Sequence, residues 1–208
     1  MEPEIGGSNP LGHPLYCMDI YAIIDRAIIT YHLNQIRKEI EELSRFLIKE
    51  NVCNIVEIGM GKGGTAFIWS QIAKGIKVFI DLPDIFPHGM TRSGCARRNL
   101  MLKQGAYNVK TILGNSHDQS TFEKLVRYLN GELVDFLFID GDHVYESVKQ
   151  DYLMYQQIVR KGGWIGFHDI NPTPSTECEV DRLWKELSGK KLEFNVKCNA
   201  YGIGLIQH

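Results

Sequence analysis

The chain has 208 residues, a formal net charge of −2 and 44% hydrophobic residues, proportions of an ordinary globular domain long enough to bury its own core. Without a clustered basic face there is no electrostatic footprint for a nucleic acid, and no apolar run approaches membrane-spanning length, which excludes a membrane-embedded class. The five cysteines (Cys17, Cys53, Cys95, Cys178, Cys198) form no CxxC pair, which argues against structural zinc or a disulfide framework and fits reduced thiols in the cytoplasm.

In chain order, the stretch through Pro14 reads as an irregular arm without the basic-then-apolar pattern of a signal peptide. From Ile20 to Glu50 the pattern is helical, with Leu33, Ile36, Ile40, Leu43 and Leu47 recurring at three- and four-residue steps. Residues 1–50 are therefore expected to be an arm and helices packed on a main domain, 51–208. Within that domain the period changes. Strands are predicted over 54–58, 77–80, 109–113, 134–139 and 164–167, with helices over 65–74, 93–104, 120–129 and 144–160. Asp142 is placed to cap the last of these helices, and Gly162 follows its end. Nearly all-apolar strands alternating with helices imply a parallel sheet covered on both faces. A helix over 180–187 precedes two close runs, 192–197 and 201–207, which should pair antiparallel.

The first strand ends in Val56-Glu57-Ile58-Gly59-Met60-Gly61-Lys62-Gly63-Gly64. Gly59, Gly61 and Gly64 satisfy GxGxxG, which alone would also suit a nicotinamide-dependent oxidoreductase. Charge separates the two readings. A pyrophosphate wants a helix N-terminus free of nearby negative charge, yet Glu57 stands two residues before the first glycine. Asp81, Asp140, Asp142 and Asp169 punctuate the other strand ends. That rim suits a cationic nucleoside without phosphate, as S-adenosylmethionine is. Asp81 is placed to accept ribose hydroxyls, and Gly114-Asn115-Ser116-His117-Asp118 is polar enough to meet an adenine edge or to be a plain turn into the next helix.

Together these segments resemble the class I S-adenosylmethionine-dependent methyltransferases, in the bacterial and phage branch grouped with small O-methyltransferases and cephalosporin-hydroxylase-like proteins. The residues carrying the resemblance are Val56 to Gly61, Ile80 to Pro83, Gly114 to Asp118, Asp135 to Tyr145, Gly162 to Ile170 and Gly202 to Gly204. It implies a Rossmann-like α/β fold, with a seven-stranded mostly parallel sheet, helices on both faces and the last strand antiparallel, plus the N-terminal helical extension. It also implies cofactor contacts from Glu57, Gly59, Gly61 and Gly63 for the methionine portion, Asp81 for the ribose, and Asn115 and Ser116 for the adenine, with Asp140 between cofactor and acceptor. The partner is a small-molecule acceptor, and a homodimer through the N-terminal helices fits the type.

Asp140 and Asp169 should end neighbouring strands, with Asp142, His143 and His168 close by. Such a cluster is costly unless paired or bound to something positive. In one reading Asp140 and Asp169 hold a divalent ion such as Mg²⁺. In the other, His143 or His168 removes the acceptor's proton without a metal, and His143, opening a helix, is the stronger candidate. The resemblance supports a metal, although an Asp-Asn pair is usual where this chain has Asp169-Ile170, leaving Asn171 as a third ligand candidate. Leu82 to Gly94, with His88 and Arg92, reads as a lid or substrate wall. Tyr16, Tyr21, Tyr31 and His32 line the acceptor side or pack the N-terminal helices. A non-catalytic binding protein with the same fold is the remaining alternative, and the intact acid–histidine cluster argues against it.

Overall fold

A computed structural model describes residues 19–83, 109–172, 178–196 and 201–208. The expected helical stretch is two helices, α1 (Ile20–Tyr31) and α2 (Arg37–Lys49). Asp19 starts α1 by accepting the N–H groups of Tyr21 at 3.0 Å and Ala22 at 3.4 Å, and His32, in the left-handed region at φ 52°, ends it. Residues 32–36 link the two helices.

The remainder alternates as expected: β1 (Ile55–Ile58), α3 (Gly64–Ile72), β2 (Lys77–Asp81), β3 (Val109–Leu113), α4 (Gln119–Leu129), β4 (Val134–Ile139), α5 (Tyr145–Tyr155), β5 (Val159–His168), α6 (Val180–Glu186), β6 (Lys191–Phe194) and β7 (Ile203–Gln207). The seven strands form one sheet in the order β3-β2-β1-β4-β5-β7-β6, in which β7 runs antiparallel to both its neighbours. The helix expected over 93–104 and most of the expected lid, with His88 and Arg92, lie outside the described residues, as does Tyr16. Among the described residues no helix is long and apolar enough to cross a membrane.

The two-residue strand period explains why the central strands carry apolar residues toward both faces. Ile55, Phe79, Phe136, Phe138 and Trp164 turn to the face covered by α1, α2 and α3. Val56, Ile58, Val78, Ile80, Leu137, Ile139 and Ile165 turn to the face covered by α4, α5 and α6. Trp69 of α3 anchors the first layer, edge-on to Phe136 and Phe138 at 5.7 and 5.8 Å.

Two expectations need correction. The helix expected to run to Arg160 ends at Tyr155, and after one tight turn the chain enters β5 at Val159. Val159 fits the helical stripe, but its apolar side chain is buried as a strand residue. Pairing with β4 shifts register between Val134/Val159 and Phe136/Trp164. The extra residues bulge out at Gly162, at φ 78°, beside the Arg160–Asp135 ion pair at 2.5 Å. Nor is Asp142 the cap of α5. Val144 occupies that position, Asp142 accepts the N–H of Val144 from two residues earlier, and Glu179 takes that of Tyr145 at 3.0 Å.

Gly59 sits where β1 and β4 leave the sheet. Its φ is 87°, and a Cβ there would stand 1.9 Å from the Asp140 carbonyl oxygen. Gly59→Ala is therefore expected to lose about 3 kcal/mol or more of stability in urea unfolding; a loss below about 1 kcal/mol would mean that the two loops separate freely.

Candidate active site

Strand order reverses between β1 and β4, which opens a crevice beyond the carboxyl ends of the parallel strands. The loops leave from one rim because their first residues still belong to the ladder. Gly59 donates to Ile80 O at 3.0 Å, Asp140 to Ile58 O at 2.8 Å and Gly114 to Asp81 O at 2.9 Å. Gly63, at φ 88°, closes a turn onto Met60 O at 2.8 Å and hands the chain to α3. At Gly61 nothing lies within 4 Å of where a side chain would be. That is where a ligand can approach the backbone.

Glu57 is fully buried, on the face covered by α3, and its carboxylate accepts the Thr65 hydroxyl. It lies beneath the glycine loop and ties the end of β1 to the first turn of α3. Asp81, half-buried at the end of β2, accepts the N–H of Leu82 at 2.9 Å. After β3, Asn115 Oδ1 accepts the N–H of His117 at 3.0 Å, the expected local turn. The Ser116 carbonyl accepts the Tyr155 hydroxyl at 2.8 Å.

The acid–histidine cluster is assembled as the strand order predicts. His143 Nε2 lies 2.9 Å from Asp169 Oδ2 and 3.8 Å from Asp140 Oδ1. His168 Nδ1 lies 3.0 Å from Asp169 Oδ2 and 3.3 Å from Asp140 Oδ1. Asp169 reaches both rings because its own φ is 61°, a left-handed turn that aspartate tolerates. Hydrogen bonds to Asp140 and then Asp169 raise His143 to about 10, against the opposing effect of burial. Burial disfavours charge on Asp169, Asp140 and His168, but the opposite charges and hydrogen bonds within the cluster outweigh it. Both carboxyls are held below their ordinary range and the His168 ring well above its own. Asp140, His143 and Asp169 each offer one donor atom, all within 4.8 Å of one another. Two carboxylates and an imidazole are a donor set that fits a divalent cation.

The methyltransferase-domain family model matches residues 56–170, which run from β1 through the end of β5. The chain belongs to that family. A protein of unassigned function from Acanthamoeba polyphaga mimivirus is 33% identical over 157 residues, covering 70% of this chain and 69% of its own length. In fold, a candidate caffeoyl-CoA O-methyltransferase from Staphylococcus aureus matches with a TM-score of 0.65 at 17% identity, over 91% of this chain and 92% of its own. The MycE methyltransferase of the mycinamycin biosynthetic pathway, in complex with Mg, S-adenosylhomocysteine and mycinamycin VI, matches with a TM-score of 0.59 at 15% identity, over 91% of this chain and 54% of its own. The chain is thus a methyltransferase on the Rossmann-like α/β fold that these structures share, which displaces the nicotinamide reading of its glycine loop.

Within this methyltransferase several site residues carry no local sequence signal. Gln35, in the α1–α2 linker, donates to Asp140 Oδ2 at 2.6 Å. Tyr201 stacks on the His168 ring at 5.9 Å. His143 comes beside both Asp140 and Asp169, while the Asn171 side chain lies against Gly202. Of the N-terminal tyrosines, Tyr31 is buried on Phe67 at 4.8 Å, whereas Tyr21 is exposed, beneath the Arg45 guanidinium. His32 is exposed and ends α1.

Asp151 of α5 is buried behind the Ser116 turn, its Oδ1 3.4 Å from His117 Nε2. Burial pushes its carboxyl up to about 6, against the opposing effects of the Ser116 hydrogen bond and the His117 ring. Because the folded value exceeds the unfolded one near 3.8, this group's contribution to stability is complete below about pH 4 and is lost as pH rises through 6. Between pH 4 and 7 wild type should therefore lose about 2 kcal/mol relative to Asp151→Asn in urea unfolding. A pH-independent difference would remove Asp151 from the titration.

Proposed function

We propose that the chain transfers a methyl group from S-adenosylmethionine to a hydroxyl oxygen of a small acceptor, a sugar or secondary metabolite, with a divalent ion such as Mg²⁺ held by Asp140 and Asp169. The observation that carries this reading is the Asp140–His143–Asp169 cluster, which opens onto the same rim as the glycine loop. Gly59, Gly61 and Gly63 let the backbone approach the methionine portion, with the Glu57 carboxylate beneath them favouring the sulfonium's positive charge. Asp81 takes the ribose hydroxyls, and Asn115 and Ser116 border the adenine.

The acceptor oxygen attacks the methyl carbon in line. A C–O bond forms, the C–S bond breaks, and S-adenosylhomocysteine leaves. Alignment and desolvation supply most of the acceleration of such a displacement. A divalent ion lowers the pKa of an acceptor hydroxyl and orients it. His143 then has a second task. Its proton is held by two carboxylates; where a cation offsets their charge that hold weakens, and Nε2 becomes the acceptor for the hydroxyl proton. His168, buried with Nδ1 between both carboxylates, keeps them oriented. MycE, whose complex contains Mg and S-adenosylhomocysteine, supports this arrangement by analogy of fold.

Calorimetry provides the first test. S-adenosylhomocysteine should bind and NADH should not, and Asp81→Ala should weaken that binding about 10- to 100-fold. The second test is an acceptor screen, covering catechols, sugars and polyketide glycosides, that follows S-adenosylhomocysteine release. Turnover should fall with EDTA and return with Mg²⁺, and His143→Ala should lower it about 10²- to 10⁴-fold with S-adenosylhomocysteine binding retained. Undiminished turnover in both His143→Ala and Asp140→Asn would overturn the site assignment.

A further inference from the structure

The α1–α2 linker is more than a connection. Leu33 presses on the start of α3, where a Cβ added at Gly64 would stand 2.8 Å from Leu33 Cα. Two residues on, the Gln35 amide crosses 105 positions of sequence to donate to Asp140 Oδ2 at 2.6 Å. Tyr31, at the end of α1, is stacked on Phe67 of α3 and fixes the linker from its other side. The segment therefore touches both the helix that follows the glycine loop and the acid that ends β4.

The contacts of Asp140 are divided between its two oxygens. Oδ1 faces the imidazoles, 3.3 Å from His168 Nδ1 and 3.8 Å from His143 Nε2. Oδ2 receives the Gln35 amide. A carboxylate held at one oxygen by a neutral donor cannot rotate its other oxygen away from the cluster without breaking that bond. An amide suits this position because it orients the group without neutralising the negative charge that a cation requires, as a lysine there would.

We propose that Gln35 is a positioning residue that locks the Asp140 carboxylate so that Oδ1 is presented to a divalent ion shared with Asp169. The N-terminal helical extension then supplies part of the reaction centre. This rests on the divalent-ion reading above. Groups that orient metal ligands typically govern affinity about 10- to 100-fold without touching the metal.

The test uses the full chain and Mn²⁺ as the probe, with affinity measured by calorimetry and by loss of the free-ion EPR signal. Gln35→Met keeps the length and bulk of the side chain and removes the donor. Gln35→Asn keeps the amide but is one methylene too short to reach. Both variants should bind Mn²⁺ about tenfold or more weakly than wild type. Affinity for S-adenosylhomocysteine and the ion-free thermal midpoint should stay close to wild type in at least the Asn variant. A packing role alone predicts the opposite pattern, a lowered midpoint with Mn²⁺ affinity within twofold of wild type, and that result overturns the proposal. If wild type itself fails to bind Mn²⁺ while S-adenosylhomocysteine binds, the divalent-ion reading falls and takes this assignment with it. If wild type binds Mn²⁺ and both variants match it, only the Gln35 assignment falls.

Discussion

Two carboxylates at the ends of adjacent parallel strands impose the constraint around which the site is built. Pairing of β4 with β5 sets Asp140 and Asp169 side by side, where burial makes their repulsion expensive. The fold answers with two imidazoles of unequal standing. His168 is 7% exposed and His143 39% exposed at the side chain. A counter-charge buried under Tyr201 is part of the architecture, whereas one at the mouth of the crevice can exchange its proton with whatever enters. The same electrostatic need thus yields one fixed and one labile partner, and the labile partner sits where chemistry would use it.

Much of this was legible in the sequence because it rests on local pattern. Nearly all-apolar runs at β1, β4 and the end of β5 report a sheet covered on both faces, and acids one residue past the ends of β4 and β5 report a shared rim. The antiparallel closing pair followed from the short spacing between β6 and β7. These are consequences of periodicity and of strand order, and the structure reproduces them.

What escaped the sequence is what depends on distance or on competing local signals. Nothing about Gln35 distinguishes it from any polar residue near a helix start, because its partner lies 105 residues away. Val159 satisfies helical and strand spacing equally, and only the register shift against β4 decides between them. The chain after Asp169 turns through a left-handed residue and pairs with the 201–202 backbone, while His143 comes beside both carboxylates, an arrangement that no local pattern announces. The roles of Glu57 and Asp142 illustrate a further limit. Their charge was legible but their direction was not, and the first braces its loop from below while the second serves a turn before α5.

The missing side chain at Gly59 has a mechanical consequence. With the backbones of the two loops in van der Waals contact at that point, the turn that would hold a methyl donor and the acid that would orient its acceptor are parts of one rigid bracket. The line of attack would then be built into the frame before either molecule arrives, so that little entropy remains to be lost on bringing the two reactants into register.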